Sequence, residues 1–219
     1  MTILEAISPG LVLILGAFLL PAARGNVRRA LVLGLPAVTL ALVWLVPDGP
    51  ALTLDFLDYT LTPVKGTTMG RLFATIFALM AFAGGLYGLA QARVVELSAA
   101  FVYAGSAIGI AFAGDLITLF VFWEVMAIGS TLVIWSAGAD AAYRASLRYA
   151  MIHLLGGVVL MVGIIAQVAE TGSVEFTAMQ ADGFARWLIL LRLLFTAPPP
   201  PLSASPPHTS PVPRPSSPL

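Results

Sequence analysis

Apolar residues run along this chain in blocks of about twenty, too long and too continuous for soluble strands or for the one-sided stripe of a soluble helix. Six blocks can be drawn, at residues 3–22, 27–46, 69–90, 95–114, 116–137 and 147–169, and a seventh begins near Arg186. About twenty apolar residues in a helix cross the ~30 Å hydrocarbon core of a bilayer, where each backbone N–H and C=O must be satisfied internally. Continuous runs, rather than alternation, leave out a β-barrel. The pattern predicts an all-α, polytopic transmembrane helix bundle of six full spans plus a partial seventh. The first block resembles a leader peptide in length, but it holds Glu5, starts without a basic residue and is followed by five more blocks. It is read as a retained helix.

The longest connection runs from Pro47 to Thr68. Asp48-Gly49-Pro50 reads as a turn, and Leu52-Thr53-Leu54-Asp55-Phe56 alternates like a short strand, so an external cap is expected here. Gly84 with Gly88, and Gly105 with Gly109, stand four residues apart and would let neighbouring helices approach closely. From Ala197 to Leu219 the text turns to Pro198-Pro199-Pro200-Pro201 and then to Ser, Thr and Pro. Proline lacks the N–H and clashes with the preceding turn, so helical sequence stops near Thr196. Two regions follow: a helical membrane domain over 1–196 and a disordered Pro/Ser-rich tail over 197–219. The piece from Trp187 to Phe195 covers only about half of a hydrocarbon core.

Composition agrees with lipid as the solvent. Of 219 residues, 59% are hydrophobic and 10% charged, and the mean hydropathy is +0.95. Eleven basic and eleven acidic residues leave no surplus to attract nucleic acid. Their placement says more. Arg24, Arg28, Arg29, Arg93, Arg144 and Arg148 fall on one set of connections, and Lys65, Arg71 and Arg186 on the other. The positive-inside rule then puts the N-terminus outside, in a bacterial-type inner membrane. With no cysteine, the chain offers no disulfide, thiolate cluster or iron–sulfur site. Two distant histidines without HxxxH spacing offer no metal site, and no nucleophile–base pair or phosphate loop stands out. No cofactor and no intrinsic catalysis are expected of this chain.

One residue departs from the apolar pattern in an informative place. Glu124 stands near the middle of the block 116–137, where a charged side chain costs about 2.5–3.5 kcal/mol on insertion scales and is by default a functional-site hypothesis. The stretch around it, Gly114-Asp115-Leu116-Ile117-Thr118-Leu119-Phe120-Val121-Phe122-Trp123-Glu124-Val125-Met126, resembles the fifth transmembrane helix of the antiporter-like proton-channel subunits. These occur in respiratory complex I, membrane-bound hydrogenases and multisubunit Na+/H+ antiporters. Arg148-Tyr149, opening a glycine-containing span that ends Ala169-Glu170-Thr171-Gly172-Ser173, is similar to the family's sixth helix and exit loop. The resemblance covers about residues 1–190, is specific from Gly114 to Ser173, and leans toward the D-type member of the antiporter assemblies.

The resemblance implies that Glu124 is the family's fifth-helix glutamate, whose partner there is a lysine on the seventh helix. That position, and the later helices with their lysines and broken segments, lie beyond the point where this sequence turns to proline. The chain is therefore expected to carry part of one half-channel, apparently truncated after its sixth helix. A frameshift or premature end and a natural Pro-rich tail both remain open, and reading the coding DNA in all three frames separates them.

Physical chemistry gives the same residues roles of their own. Burial and a nearby cation pull a carboxyl group's proton affinity in opposite directions, so a buried acid whose cationic partner moves can take up and release a proton near neutral pH. Glu124 is a proton-relay candidate on that ground, and the alternative is a structural acid bonded to a neighbouring helix. Helical spacing puts Phe120, Val121, Ile128 and Thr131 on its face, with Thr131 able to bond a water. His153 lies on the face of Tyr149, Gly156 and Gly157, and an imidazole with an ordinary pKa of about 6.5 passes protons both ways. A hydrogen bond to a neighbour is its other reading. Arg148 fits either an electrostatic link along the water path, as the resemblance implies, or a snorkelling interfacial arginine. Asp115 is read first as the N-cap of the helix that begins at Leu116, and second as a cation collector at the external mouth.

Two functions are carried forward. In the first, the chain is a membrane subunit of a multisubunit cation/proton antiporter, moving H+ with Na+ or K+ alongside other membrane subunits. In the second, it is a non-transporting structural subunit of a complex I-like or hydrogenase-like assembly. In an NADH:quinone oxidoreductase-type complex, the redox cofactors would belong to partners.

Overall fold

The computed structural model describes residues 7–57, 59–176 and 187–190. Glu5, Asp58, Asp182, His208, the bulk of the seventh block and the Pro-rich tail lie outside the described residues. The elements run α1 (Pro9–Leu19), α2 (Gly25–Leu45), β1 (Gly49–Phe56), β2 (Tyr59–Gly66), α3 (Thr68–Gln91), α4 (Val94–Phe112), α5 (Leu116–Ser136) and α6 (Asp140–Thr171). Helices α2 to α6 are long and apolar enough to cross a membrane, and α1 is a shorter apolar helix. The chain is thus a multi-pass membrane protein of helical class. Its large exposed apolar side chains, Phe73 on α3 and Leu155 on α6 among them, are what lipid or partner helices cover.

Helices α1 to α4 close a ring, each packed on the next and α1 on α4. The tightest approach is α1 on α4: a Cβ at Gly10 would strike the Gly105 carbonyl oxygen, and one at Gly105 would lie 3.0 Å from the Leu13 Cβ. Gly109 takes the Phe122 ring of α5. Gly84 faces open space instead, and a Cβ at its neighbour Gly85 would lie 3.1 Å from Val32 of α2. Of the two glycine pairs singled out in the sequence, Gly105/Gly109 packs as expected and Gly84/Gly88 contributes only Gly88, against Leu97. The ring shares one apolar core, with Leu13, Val32, Val43, Ala78, Phe101 and Phe112 at its centre.

Outside the ring, α5 packs on α4, and α6 packs on α5. A second, smaller core holds this pair together: Leu116, Leu160 and Ile164, joined by Ile189 from residues 187–190, which are helical. Helix α6 begins earlier than the apolar block at 147, because Asp140–Ser146, where Asp140, Tyr143, Arg144 and Ser146 alternate with alanines, is helical too. At 32 residues, or about 48 Å of rise, α6 exceeds the thickness of a hydrocarbon core. Gly172 ends it in the left-handed conformation at φ 70°, its N–H donating to the Val168 carbonyl at 2.7 Å.

The connection 47–68 is an antiparallel hairpin, so the strand read at Leu52–Phe56 has a partner that Pro63 hid in the sequence. The ladder shifts register between Leu52↔Val64 and Leu54↔Leu61, which puts Pro63, the residue without an N–H, where the pairing is already broken. Thr62 beside it turns its backbone outward. Its N–H donates to the Asp115 carboxylate at 2.8 Å, and its carbonyl accepts from the Gly114 N–H at 2.9 Å. Asp115 is fully buried and also accepts from the Thr118 N–H and hydroxyl, each at 2.7 Å, as the N-cap of α5. The Leu116 N–H donates to the Val174 carbonyl at 2.9 Å, and Asp115 pairs with Glu175 in a short bridge. One end of the bundle is therefore tied through the α4–α5 turn. At the opposite end an Arg93 Nη donates to the Ser136 carbonyl at 3.1 Å, beside Gly138.

Because Asp115 alone satisfies the Thr62 and Thr118 N–H groups, Asp115→Ala should destabilise the chain by about 2–4 kcal/mol, and Asp115→Asn, which keeps one acceptor oxygen, by roughly half of that. Thermal unfolding of the purified chain in detergent measures both; equal, near-zero changes would contradict the junction.

Candidate functional site

Helix α5 lies between α4 and α6, and the polar side chains of interest collect on its α6 side. Glu124 stands about 12 Å along α5 from Leu116 and about 18 Å from Ser136, well inside the helix. It is half-buried. Its carboxylate rests on the backbone of α6 at Gly157: a Cβ placed there would run into Glu124 Oε1 and sit 2.9 Å from its Cδ. Only glycine leaves that room. The carboxylate therefore occupies a notch in the α5–α6 seam, between two membrane helices.

One turn along α6 from Gly157 comes His153, 5% exposed. Its ring stacks against two aromatic rings. The Tyr149 ring lies 5.6 Å away at 15°, and the Trp123 ring from α5 lies 6.4 Å away at 11°, both offset stacks within the attractive range. The Tyr149 hydroxyl shares a 3.0 Å hydrogen bond with the Ser130 hydroxyl of α5. Gly157, His153 and Tyr149 follow one another at four-residue spacing and so share one face. Trp123 and Ser130, seven apart, meet that face from α5. The outcome is a file of polar groups, Glu124, His153, Tyr149 and Ser130, laid along a seam whose other half is the apolar cluster at Leu116, Leu160 and Ile164.

The remaining sequence candidates stand apart from this file. Thr131 donates to the Ala127 carbonyl of its own helix at 2.8 Å. Val121 and Ile128, read as sharing a face with Glu124, are exposed on the outer surface, and the α6-facing stripe is the one through Trp123 and Ser130. Arg148 is exposed near the start of α6. Asp115 caps α5 at the end of the bundle remote from Tyr149. Trp123, Ser130 and Gly157's seat for the carboxylate were not read from the sequence as parts of a site. The seven-residue step from Trp123 to Ser130 was the signal that could have found the first two. Among the described residues, no three His, Cys, Asp or Glu side chains converge as a metal site would need.

Fold and site define a polytopic membrane protein with an acid seated between two of its spans. Residues 113–202 match the family model described as NADH:quinone oxidoreductase/Mrp antiporter, TM. The chain is 37% identical over 62 residues to the D-type subunit of the Na+/H+ antiporter of Alkalihalophilus pseudofirmus, covering 28% of this chain and 13% of that one. It is 34% identical over 116 residues to the A/B-type subunit of a probable K+/H+ antiporter of Rhizobium meliloti, covering 52% and 12%. In fold it is similar to a chain of respiratory complex I from Thermus thermophilus with bound NADH, at a TM-score of 0.68 and 21% identity, over 84% of this chain and 41% of that chain. Over the region that holds α5 and α6 the chain is thus similar to antiporter-like membrane subunits. The matched stretches span only 12–15% of the length of these curated relatives and others like them.

In an ordinary helix Gly→Ala stabilises by up to about 1 kcal/mol. At Gly157 the added methyl has to displace a carboxylate, so Gly157→Ala should destabilise by about 1–3 kcal/mol. Gly84→Ala, which meets nothing within 4 Å, serves as the comparison. Unfolding of both variants in detergent checks the sign; a stabilised Gly157→Ala would place the carboxylate elsewhere.

Proposed function

We propose that this chain is a proton-translocating membrane subunit of a multisubunit cation/proton antiporter, moving H+ in exchange for Na+ or K+ and carrying part of one half-channel. The observation that carries the reading is the Glu124 carboxylate seated on Gly157, between two helices and more than two turns from either end of α5. An acid held there meets neither bulk water nor bare lipid along its buried side. His153, one turn away, supplies a second group able to bind and release a proton. The names of the antiporter subunits that this chain resembles support the class of ion.

Glu124 acts as the relay, alternating between carboxylate and carboxylic acid as the charge near it changes. Moving one elementary charge through the membrane is worth about 2.3 kcal/mol per 100 mV, so modest changes in a neighbouring cation are enough to drive the exchange. His153 hands protons to it. Arg148 supplies positive charge at the rim of the path, Thr131 offers a hydroxyl lone pair to a water, and Asp115 is the buried structural cap of α5. The partners are further membrane subunits, while the cation that pairs with Glu124 is the lysine that the resemblance places on a seventh helix. The charge distribution supports an external N-terminus in a bacterial inner membrane, with Arg24, Arg93 and Arg144 on the cytoplasmic side. A structural role within a complex I-like assembly is the second reading, favoured by the exposed apolar face of α6 at Met151, Leu155 and Val162, which offers a surface for neighbouring helices.

In membranes holding the complete assembly, Glu124→Gln should lower cation-coupled proton antiport at least about hundredfold, the scale of losing a proton-transfer group, while insertion and assembly stay intact. Unchanged antiport across several pH values removes Glu124 from the mechanism and leaves the structural role.

A further inference from the structure

Between His153 and the arginine-bearing end of α6, the seam holds a pair of hydroxyls whose hydrogens can be arranged in two ways. Ser130 Oγ lies 3.0 Å from the Tyr149 hydroxyl and 2.9 Å from the Ala127 carbonyl. A serine hydroxyl has one hydrogen and two lone pairs. When Ser130 donates to Ala127, the Tyr149 hydrogen points at Ser130; when Ser130 donates to Tyr149, the Tyr149 hydrogen turns away along the seam. Ser130 keeps a hydrogen bond in both arrangements, and in the second a water accepts the Tyr149 hydrogen, so the pair can switch. Tyr149 also stacks its ring on His153, and the Trp123 ring stacks on the same imidazole from α5.

We infer that Ser130 and Tyr149 form a hydroxyl relay that feeds protons to His153 from the α6 N-terminal end, with Trp123 as a positioning residue that holds the imidazole edge-on to the path. The inference rests on the reading of Glu124 as the membrane relay and extends its route by two groups. Each step conserves the proton. A proton arriving at Ser130 bonds to a lone pair of its oxygen as the Ser130 hydrogen crosses the 3.0 Å bond to Tyr149 and Tyr149 gives up its own hydrogen. One water carries that hydrogen to the imidazole, since stacked rings keep the Tyr149 oxygen out of line with the ring nitrogens. The imidazolium releases a proton to the Glu124 carboxylate, and rotation of the two hydroxyls, with return of the imidazole to its first tautomer, restores the starting arrangement. From Tyr149 to the level of Gly157 the path rises about 12 Å. Among the described residues, the titratable group facing this stretch from α5 is Glu124; on α6 itself it is Tyr149, with Arg144 and Arg148 exposed at the rim.

The test uses the full chain in liposomes. Replacing Trp44, Trp135 and Trp187 with Phe leaves Trp123 as the sole indole, in contact with His153, and protonation of an imidazole against an indole quenches its fluorescence. In a rapid pH jump, the quench should appear in the parent reporter and vanish in His153→Gln. Tyr149→Phe keeps the ring stack and loses only the hydroxyl; it and Ser130→Ala should each slow the quench by about tenfold with its amplitude preserved, the scale of one lost hydrogen-bonded step. Ser130→Thr, which keeps a hydroxyl, should restore the rate. Unchanged rates in either variant overturn the relay. So does a lost amplitude in Tyr149→Phe, which would make the hydroxyl a support for the ring. A parent reporter that does not respond to pH, or a quench that survives His153→Gln, overturns it as well. The optical rate reads the feed to His153 alone, so it can fail while Glu124-dependent antiport stands, and stand while that antiport fails.

Discussion

A carboxylate resting on a glycine backbone, inside a membrane, is the contact that the rest of this molecule accommodates. Glu124 needs a neighbour that gives it room, and Gly157 is where α6 provides it. Lipid on that side would leave the acid at the full insertion cost of a buried charge. Open water would make it an ordinary surface glutamate. A seam between two helices is the arrangement in which such a group can be both retained and protonated reversibly.

Holding that seam in register takes ties at both ends of α5. At one end Asp115 collects the N–H groups of Thr62 and Thr118, while Leu116 bonds to Val174 beyond α6. A break in the hairpin ladder at Pro63 is what turns the Thr62 backbone toward Asp115. At the other end Arg93 reaches Ser136. Between these ties, Gly109 accepts the Phe122 ring and Gly129 takes the Tyr103 backbone from α4, so α5 is pinned to the ring of four helices on one side and meets α6 on the other. The two apolar cores follow this division: one belongs to the ring, the other to α5, α6 and Ile189. Since α6 packs chiefly on α5, and the core they share is smaller than that of the ring, the seam has less apolar packing behind it than the ring does.

Much of the fold was legible because lipid simplifies the code. Blocks of twenty apolar residues gave α2 to α5 to within a few residues, and a lone acid in an apolar block pointed to Glu124. The start of α6 was not legible from hydropathy, since Asp140–Ser146 is helical without being apolar. Strand β2 was hidden by Pro63, a residue that argues against a strand unless a register break takes it in. The site was half legible. Spacing on α6 gathered Tyr149, His153 and Gly157 on one face, but periodicity on α5 could not say which stripe meets α6, because apolar residues surround the helix on every side. Only packing shows that Trp123 and Ser130 face the seam while Val121 and Ile128 face outward.

The most direct test is pH-difference infrared spectroscopy of the full chain in lipid, with Glu124→Gln identifying the band that belongs to this side chain. A carboxyl seated in the seam and open to a proton path should give a band that appears and disappears reversibly with pH and shifts in D2O, while Gly157→Ala moves its frequency. A Glu124 band that is insensitive to Gly157→Ala, or a carboxyl that never changes its protonation as the pH is varied, would contradict the account.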